Sequence, residues 1–134
     1  MKVWADNGDS LEIERATSDV DSYDVLLLVR VQFHGFSAEI DTWVLRAAWL
    51  GFTQDLGVLE ERRQGEAKLT GMSPDELSIA IRSIDRAGHM GVEGTVGARS
   101  YNYSASLRVA VLVFDPSQLP ALVHDARVIA SGLS

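Results

Sequence analysis

The chain predicts an α+β fold: a mostly antiparallel β-sheet of about six to eight short strands in hairpins and meanders, with two helices, one mid-chain and one C-terminal. Three features point there. Two long runs alternate apolar and polar residues, the period changes to that of a helix near residue 46, and a second group of strand-like runs follows with short turns between them. Short local connections favour antiparallel neighbours over parallel βαβ units.

The first alternating run is "YDVLLLVRVQF", in which Val25, Leu27, Val29, Val31 and Phe33 share one face while Asp24, Arg30 and Gln32 lie on the other. "HGF" turns the chain, with Gly35 free to take a positive φ. "FSAEIDTWV" alternates again, so the two runs form a hairpin. From about residue 46, Trp49, Phe52, Leu56 and Leu59 recur at three- and four-residue steps, the stripe of a helix laid on a core. Arg62 and Arg63 suit its C-terminal dipole end, and Gly65 supplies a stop. Gly51 and Gly57 weaken this helix by about 1 kcal/mol each relative to Ala. It therefore depends on packing, or the glycines let it approach the sheet closely.

The later strands fall at "EAKLT", "ELSIAIRSI", "GHMGVEGTV" and "SASLRVAVLVF", with "MSPD", "DRAG" and "GARSYN" as turns. The glycines of "GHMGVEGTVG" predict a bulged or strongly bent strand. In "SASLRVAVLVF" the odd positions Leu107, Val109, Val111 and Val113 make one apolar face. The opposite face is also partly apolar, which predicts a central strand. "DPSQLPALVHDARVIASG" reads as a terminal helix capped by Asp115 or Ser117, with Leu119, Leu122, Ala126 and Ile129 as its buried stripe. "KVWA" and "SLEIE" are short strands around "DNGD". No internal repeat or linker is visible, so residues 1–134 are expected to form a single domain.

A chain of 134 residues buries roughly 65–70% of its unfolded surface and needs no disulfide or metal staple. It contains no cysteine, which excludes a thiolate metal site and a cysteine nucleophile. "MKVWADNGDS" lacks the apolar core of a signal peptide, and "VLLLV" and "VAVLVF" are too short to span a bilayer. The expected location is cytoplasmic. The net charge is −7, and it is unevenly placed: residues 1–24 carry seven acids and two bases, the remaining 110 twelve acids and ten bases. That balance disfavours nucleic acid and anionic membranes as partners and favours a basic protein.

The acidic runs "ADNGDSLEIE" and "TSDVDSYD" invite a calcium reading, but neither register fits an EF-hand loop. From Asp19, position 5 is Tyr23; from Asp6, position 3 is Gly8. They are capped turns or a partner-facing surface. His34, His89 and His124 have no zinc-ligand spacing, there is no G-x-S-x-G elbow, and "GHMGVEG" lacks the lysine of a phosphate loop. No catalytic, cofactor-binding or metal-binding residue is singled out. Glu39 and Asp41 point to one side of their strand, and Trp43 shares that side. The trio is either a binding hot spot or a surface on which the following helix or a sheet edge covers the Trp.

"GFSAEI" leading into an aromatic helix that ends near "GEAKL", then "ELSIAIRSIDRAGHMGVEGTV" and "FDPSQLPALVHDARVI", together resemble the WapI-type immunity proteins of bacteria, which are encoded beside contact-dependent toxins. The resemblance implies a non-enzymatic cytoplasmic protein that binds a toxin domain tightly and neutralises it by occlusion. It carries no catalytic residues. Charge, not the resemblance, suggests Asp6, Asp9, Asp19, Asp21 and Asp24 as the face for a basic toxin, with Glu39, Asp41 and Trp43 as further contacts. Two other readings stand beside this one. A small-ligand or regulatory domain, able to oligomerise through an uncovered sheet edge, would show a pocket lined by Trp43, Trp49 or Tyr101. An enzyme would bring His34, His89 or His124 to Glu39 or Asp41.

Overall fold

Strict alternation on paired strands decides which residues face inward, and the computed structural model of the protein, which describes residues 1–16 and 24–132, is built on it. Four strands form a first antiparallel sheet in the order β1 (Lys2–Trp4), β2 (Ser10–Arg15), β3 (Asp24–Phe33) and β4 (Phe36–Leu45). Helix α1 (Arg46–Arg62) follows at once. A second antiparallel sheet comprises β5 (Glu66–Thr70), β6 (Leu77–Ser83), β7 (Met90–Ser100) and β8 (Tyr103–Phe114), again in chain order. A single 3-10 turn at Pro116–Gln118 leads into α2 (Leu119–Ser131). The fold is α+β. Each half is a four-stranded meander followed by a helix, a repeat of topology with no visible repeat of sequence.

The β3–β4 hairpin sets the first sheet. His34 (φ 51°) and Gly35 (φ 84°) form a two-residue left-handed turn that pairs Phe33 with Phe36. Val25, Leu27, Val29 and Val31 are buried, while the residues between them keep part of their surface. One continuous core joins these residues to Val3, Leu11 and Ile13 of β1 and β2, to the inner residues of β5–β8 and to both helices.

Helix α1 buries Trp49, Phe52, Leu56 and Leu59 as its spacing predicts, together with Thr53. The Trp49 indole Nε1–H donates to the Ala126 carbonyl at 3.2 Å, tying α1 to α2. Its glycines do not serve a close approach to a sheet: Gly51 has open space around it, and Gly57 faces the Arg127 guanidinium of α2. Nor does Gly65 end the helix. Arg63 takes the left-handed position (φ 56°), and its N–H donates to the Leu59 carbonyl at 2.8 Å. Asp115 caps the 3-10 turn by accepting from the Ser117 N–H at 2.8 Å, and Val123 joins the buried stripe of α2 while Ile129 is only partly covered. Gln118 clamps one edge of β1, accepting from the Trp4 N–H at 3.0 Å and donating to the Trp4 carbonyl at 2.9 Å.

The expectation for the last strand needs correcting. β8 lies at the edge of its sheet, and its inward face changes parity along its length. Val92 pairs with Leu112 but Gly94 pairs with Val109, so Glu93 alone opposes both Ala110 and Val111. This bulge turns Val109, Leu112 and Phe114 inward and leaves Val111 and Val113 exposed. Gly94 makes it possible. Its φ is +145°, and an added Cβ would collide with the Ser78 carbonyl and lie 2.7 Å from Ile79 Cα. Gly94→Ala is therefore expected to cost about 3 kcal/mol or more in urea unfolding. Gly51→Ala, on an open helical surface, should stabilise by about 0.5–1 kcal/mol in the same assay.

Candidate interaction surface

The outer face of the first sheet is assembled by cross-strand pairing. Lys2, Glu12, Arg30 and Glu39 stand in one row across β1–β4; Glu14, Leu28 and Asp41 stand in the next; Leu26 pairs with Trp43, and Asp24 with Leu45. Trp43 is 44% exposed and Leu45 49% exposed, so neither α1 nor a sheet edge covers the tryptophan. Leu26 and Leu28 are half-buried beside it. The result is an apolar strip with carboxylates around it.

Arg30 is the cation at the centre. Its guanidinium lies 3.4 Å from Glu12, 3.6 Å from Glu14 and 3.5 Å from Glu39. One positive charge thus faces three negative ones, and Asp41 has no cationic partner among the described residues. Exposed pairs of this kind contribute little to stability but leave a net negative field over the face.

The second sheet's outer face is different. Glu93 receives a forked Arg82 at 2.9 and 3.3 Å, which holds its carboxyl below the usual range, and Glu66 pairs with Lys68 at 3.2 Å. Near its far end Asp75 pairs with Arg99 at 2.7 Å. Acids and bases there meet in pairs, and Arg108 beside Glu93 adds a further cation. Two further carboxyls are lowered at its turns: Asp85 by the His89 ring, and Asp115 by the Ser117 N–H.

Of the residues that charge and alternation single out, Asp24, Glu39, Asp41 and Trp43 come together on this face. Asp6 and Asp9 do not. They sit in the β1–β2 turn, beside the His34 turn and about 25–30 Å of strand away from Asp24. Asp6 is exposed, but Asp9 is 7% exposed and committed to the fold. Its carboxylate accepts from the His34 N–H at 2.9 Å and from Asn7 Nδ2 at 3.1 Å, and it lies 3.6 Å from the His34 ring. It staples two hairpin turns together and is not a surface acid. Asp19 and Asp21 lie outside the described residues. Glu12, Glu14, Arg30, Leu26, Leu28 and Leu45 also belong to the face. Their shared position was readable from alternation once the β2–β3 pairing is known, but that pairing has no local signal.

The residues that would mark an enzyme do not converge. His34 meets Asp9 and His89 meets Asp85 at 2.8 Å, and among the described residues no histidine pairs with Glu39 or Asp41. No three His, Asp or Glu side chains of the described residues are placed to share a metal ion. Trp49 is fully buried and Tyr101 fully exposed, so of the three aromatic residues named as pocket markers only Trp43 lines a cleft. Among the described residues no helix is long and apolar enough to cross a membrane.

Compared with known proteins, the chain matches no family model, no curated protein and no solved structure.

The two acidic roles separate experimentally. Asp9→Asn should destabilise by about 1–3 kcal/mol, since a buried charge-assisted acceptor is weakened. Asp41→Asn should stay within about 0.5 kcal/mol of the parent in the same urea titration.

Proposed function

We propose that the protein is a non-enzymatic immunity-type protein that binds a basic toxin domain in the cytoplasm and neutralises it by occlusion. The observation that carries this reading is the exposed Trp43 on an open sheet face that also carries Glu12, Glu14, Asp24, Glu39 and Asp41. A large aromatic amid apolar neighbours with a polar rim has the anatomy of a binding hot spot. The rim's excess of carboxylates speeds encounter with a basic partner and repels acidic ones. A toxin that acts on nucleic acid presents such a basic surface, and a rigid acidic sheet laid over it would block access to phosphates. The resemblance of the segment order to WapI-type immunity proteins supports the same conclusion. A small-ligand or regulatory domain is the second reading, favoured by one observation: a cleft of about 510 Å³ opens beside Trp43.

Calorimetric titration against the toxin domain encoded beside the gene distinguishes them. The expected result is tight one-to-one binding that weakens with salt. Trp43→Ala should cost about 2 kcal/mol, roughly a thirtyfold loss of affinity. Glu39→Lys with Asp41→Lys should slow association and flatten the salt dependence. Absence of binding, or affinity indifferent to all three substitutions, would reject the proposal.

A further inference from the structure

The cleft beside Trp43 has a chemistry of its own. It lies where the edge strand β4 meets the loop between β5 and β6, and its walls are Asp24, Thr42, Trp43, Met72, Ser73 and Glu76. The loop is pinned to the strand. The Met72 N–H donates to the Trp43 carbonyl at 2.9 Å, the Gly71 N–H to the Leu77 carbonyl at 2.9 Å, and the Glu76 N–H to the Ser73 carbonyl at 2.9 Å. The buried Thr42 hydroxyl donates to one Glu76 oxygen at 3.1 Å, which orients that carboxylate. The loop backbone and the Glu76 carboxylate are thus arranged before anything binds, which lowers the ordering cost for a guest.

Among the described residues, none of the walls is basic. Two are carboxylates, one is an exposed indole, and one is a thioether 52% exposed. Anions are repelled by this set. An apolar guest would strip water from the Glu76 carboxylate without replacing it. A divalent metal would find too few oxygen ligands and the wrong neighbours in Trp and Met. A guanidinium or ammonium on an apolar stem suits this lining: the charge meets the Glu76 carboxylate, while the stem and the cationic face lie along Trp43 and Met72. The volume of about 510 Å³ accommodates one long side chain with its flanking backbone, which favours a peptide source over a bare ion.

We infer that this cleft is the receptor for a single arginine or lysine side chain of the partner protein. The inference rests on the protein-partner reading above only for the source of that side chain; the cation preference follows from the cleft alone.

The test uses the whole chain, labelled with nitrogen-15, titrated at low salt with Nα-acetyl-arginine amide and, in parallel, with Nα-acetyl-citrulline amide, which has the same shape and no charge. The arginine compound should move the Trp43 indole N–H and the Met72 amide saturably, and the citrulline compound should bind at least fivefold more weakly. Trp43→Ala should abolish the Met72 response. Glu76→Gln, which keeps an oxygen for the Thr42 hydroxyl, should weaken binding at least threefold, with an unmoved Trp49 indole signal reporting an intact core. Equal response to both compounds, linear drift of Trp4 and Trp43 alike, or indifference to Glu76→Gln would overturn the inference. Saturable arginine binding without any toxin binding defeats the proposed function and leaves the cleft assignment standing. Toxin binding that needs Trp43 but ignores Glu76→Gln does the reverse.

Discussion

The two-residue period of β3 and β4 is the constraint on which the rest of the structure hangs. A strand that places Val25, Leu27, Val29 and Val31 in the core must present Leu26, Leu28 and Arg30 on the other side, because successive side chains point to opposite faces. The ten-residue pairing of β3 with β4, closed by the His34–Gly35 turn, removes any freedom to slip. A slip of β3 by one residue would bury Arg30 and Gln32 and expose Val25, Leu27, Val29 and Val31, at a cost of many kcal/mol. Register is therefore what places Glu39, Asp41 and Trp43 on one surface.

That surface inherits its character from an arithmetic of charge. On the second sheet acids and bases meet in pairs, as Arg82 does with Glu93, and their fields cancel at short range. On the first sheet Arg30 is shared among Glu12, Glu14 and Glu39, and Asp41 adds to the excess. The two open faces are built from the same kind of strand, but only one combines uncancelled charge with an exposed tryptophan and neighbouring leucines. Stability gains little from that combination. It makes sense as a surface that meets something else.

Much of the fold was legible because its signals are local. Alternation marked β3 and β4, the spacing of Trp49, Phe52, Leu56 and Leu59 marked α1, and the glycines of the seventh strand marked where its pairing is irregular, although the extra residue lies in β8. What failed was long-range or compensated. The parity of β8 depends on Glu93 opposing two residues of a neighbouring strand, which no window within β8 contains. The acidity of the N-terminal segment suggested one face, yet Asp9 is consumed by the backbone of His34, twenty-five residues away. Composition counts charges without knowing which are already spoken for. Trp43 was placed correctly on its strand, but its exposure depended on where α1 would go, and helix α1 packs its stripe into the shared core instead of over the outer face.

Solvent accessibility, read side chain by side chain, tests this account at its root. With an inert soluble gadolinium chelate, proton relaxation should be strongly enhanced for the Trp43 indole and the Leu45 methyls, and nearly unaffected for the Trp49 indole and the methyls of Leu27, Val29 and Val31. Protection of Trp43 to the level of Trp49, or enhancement at Leu27 matching that at Leu45, would mean that the first sheet is turned or covered differently, and its outer face would lose its claim to a partner.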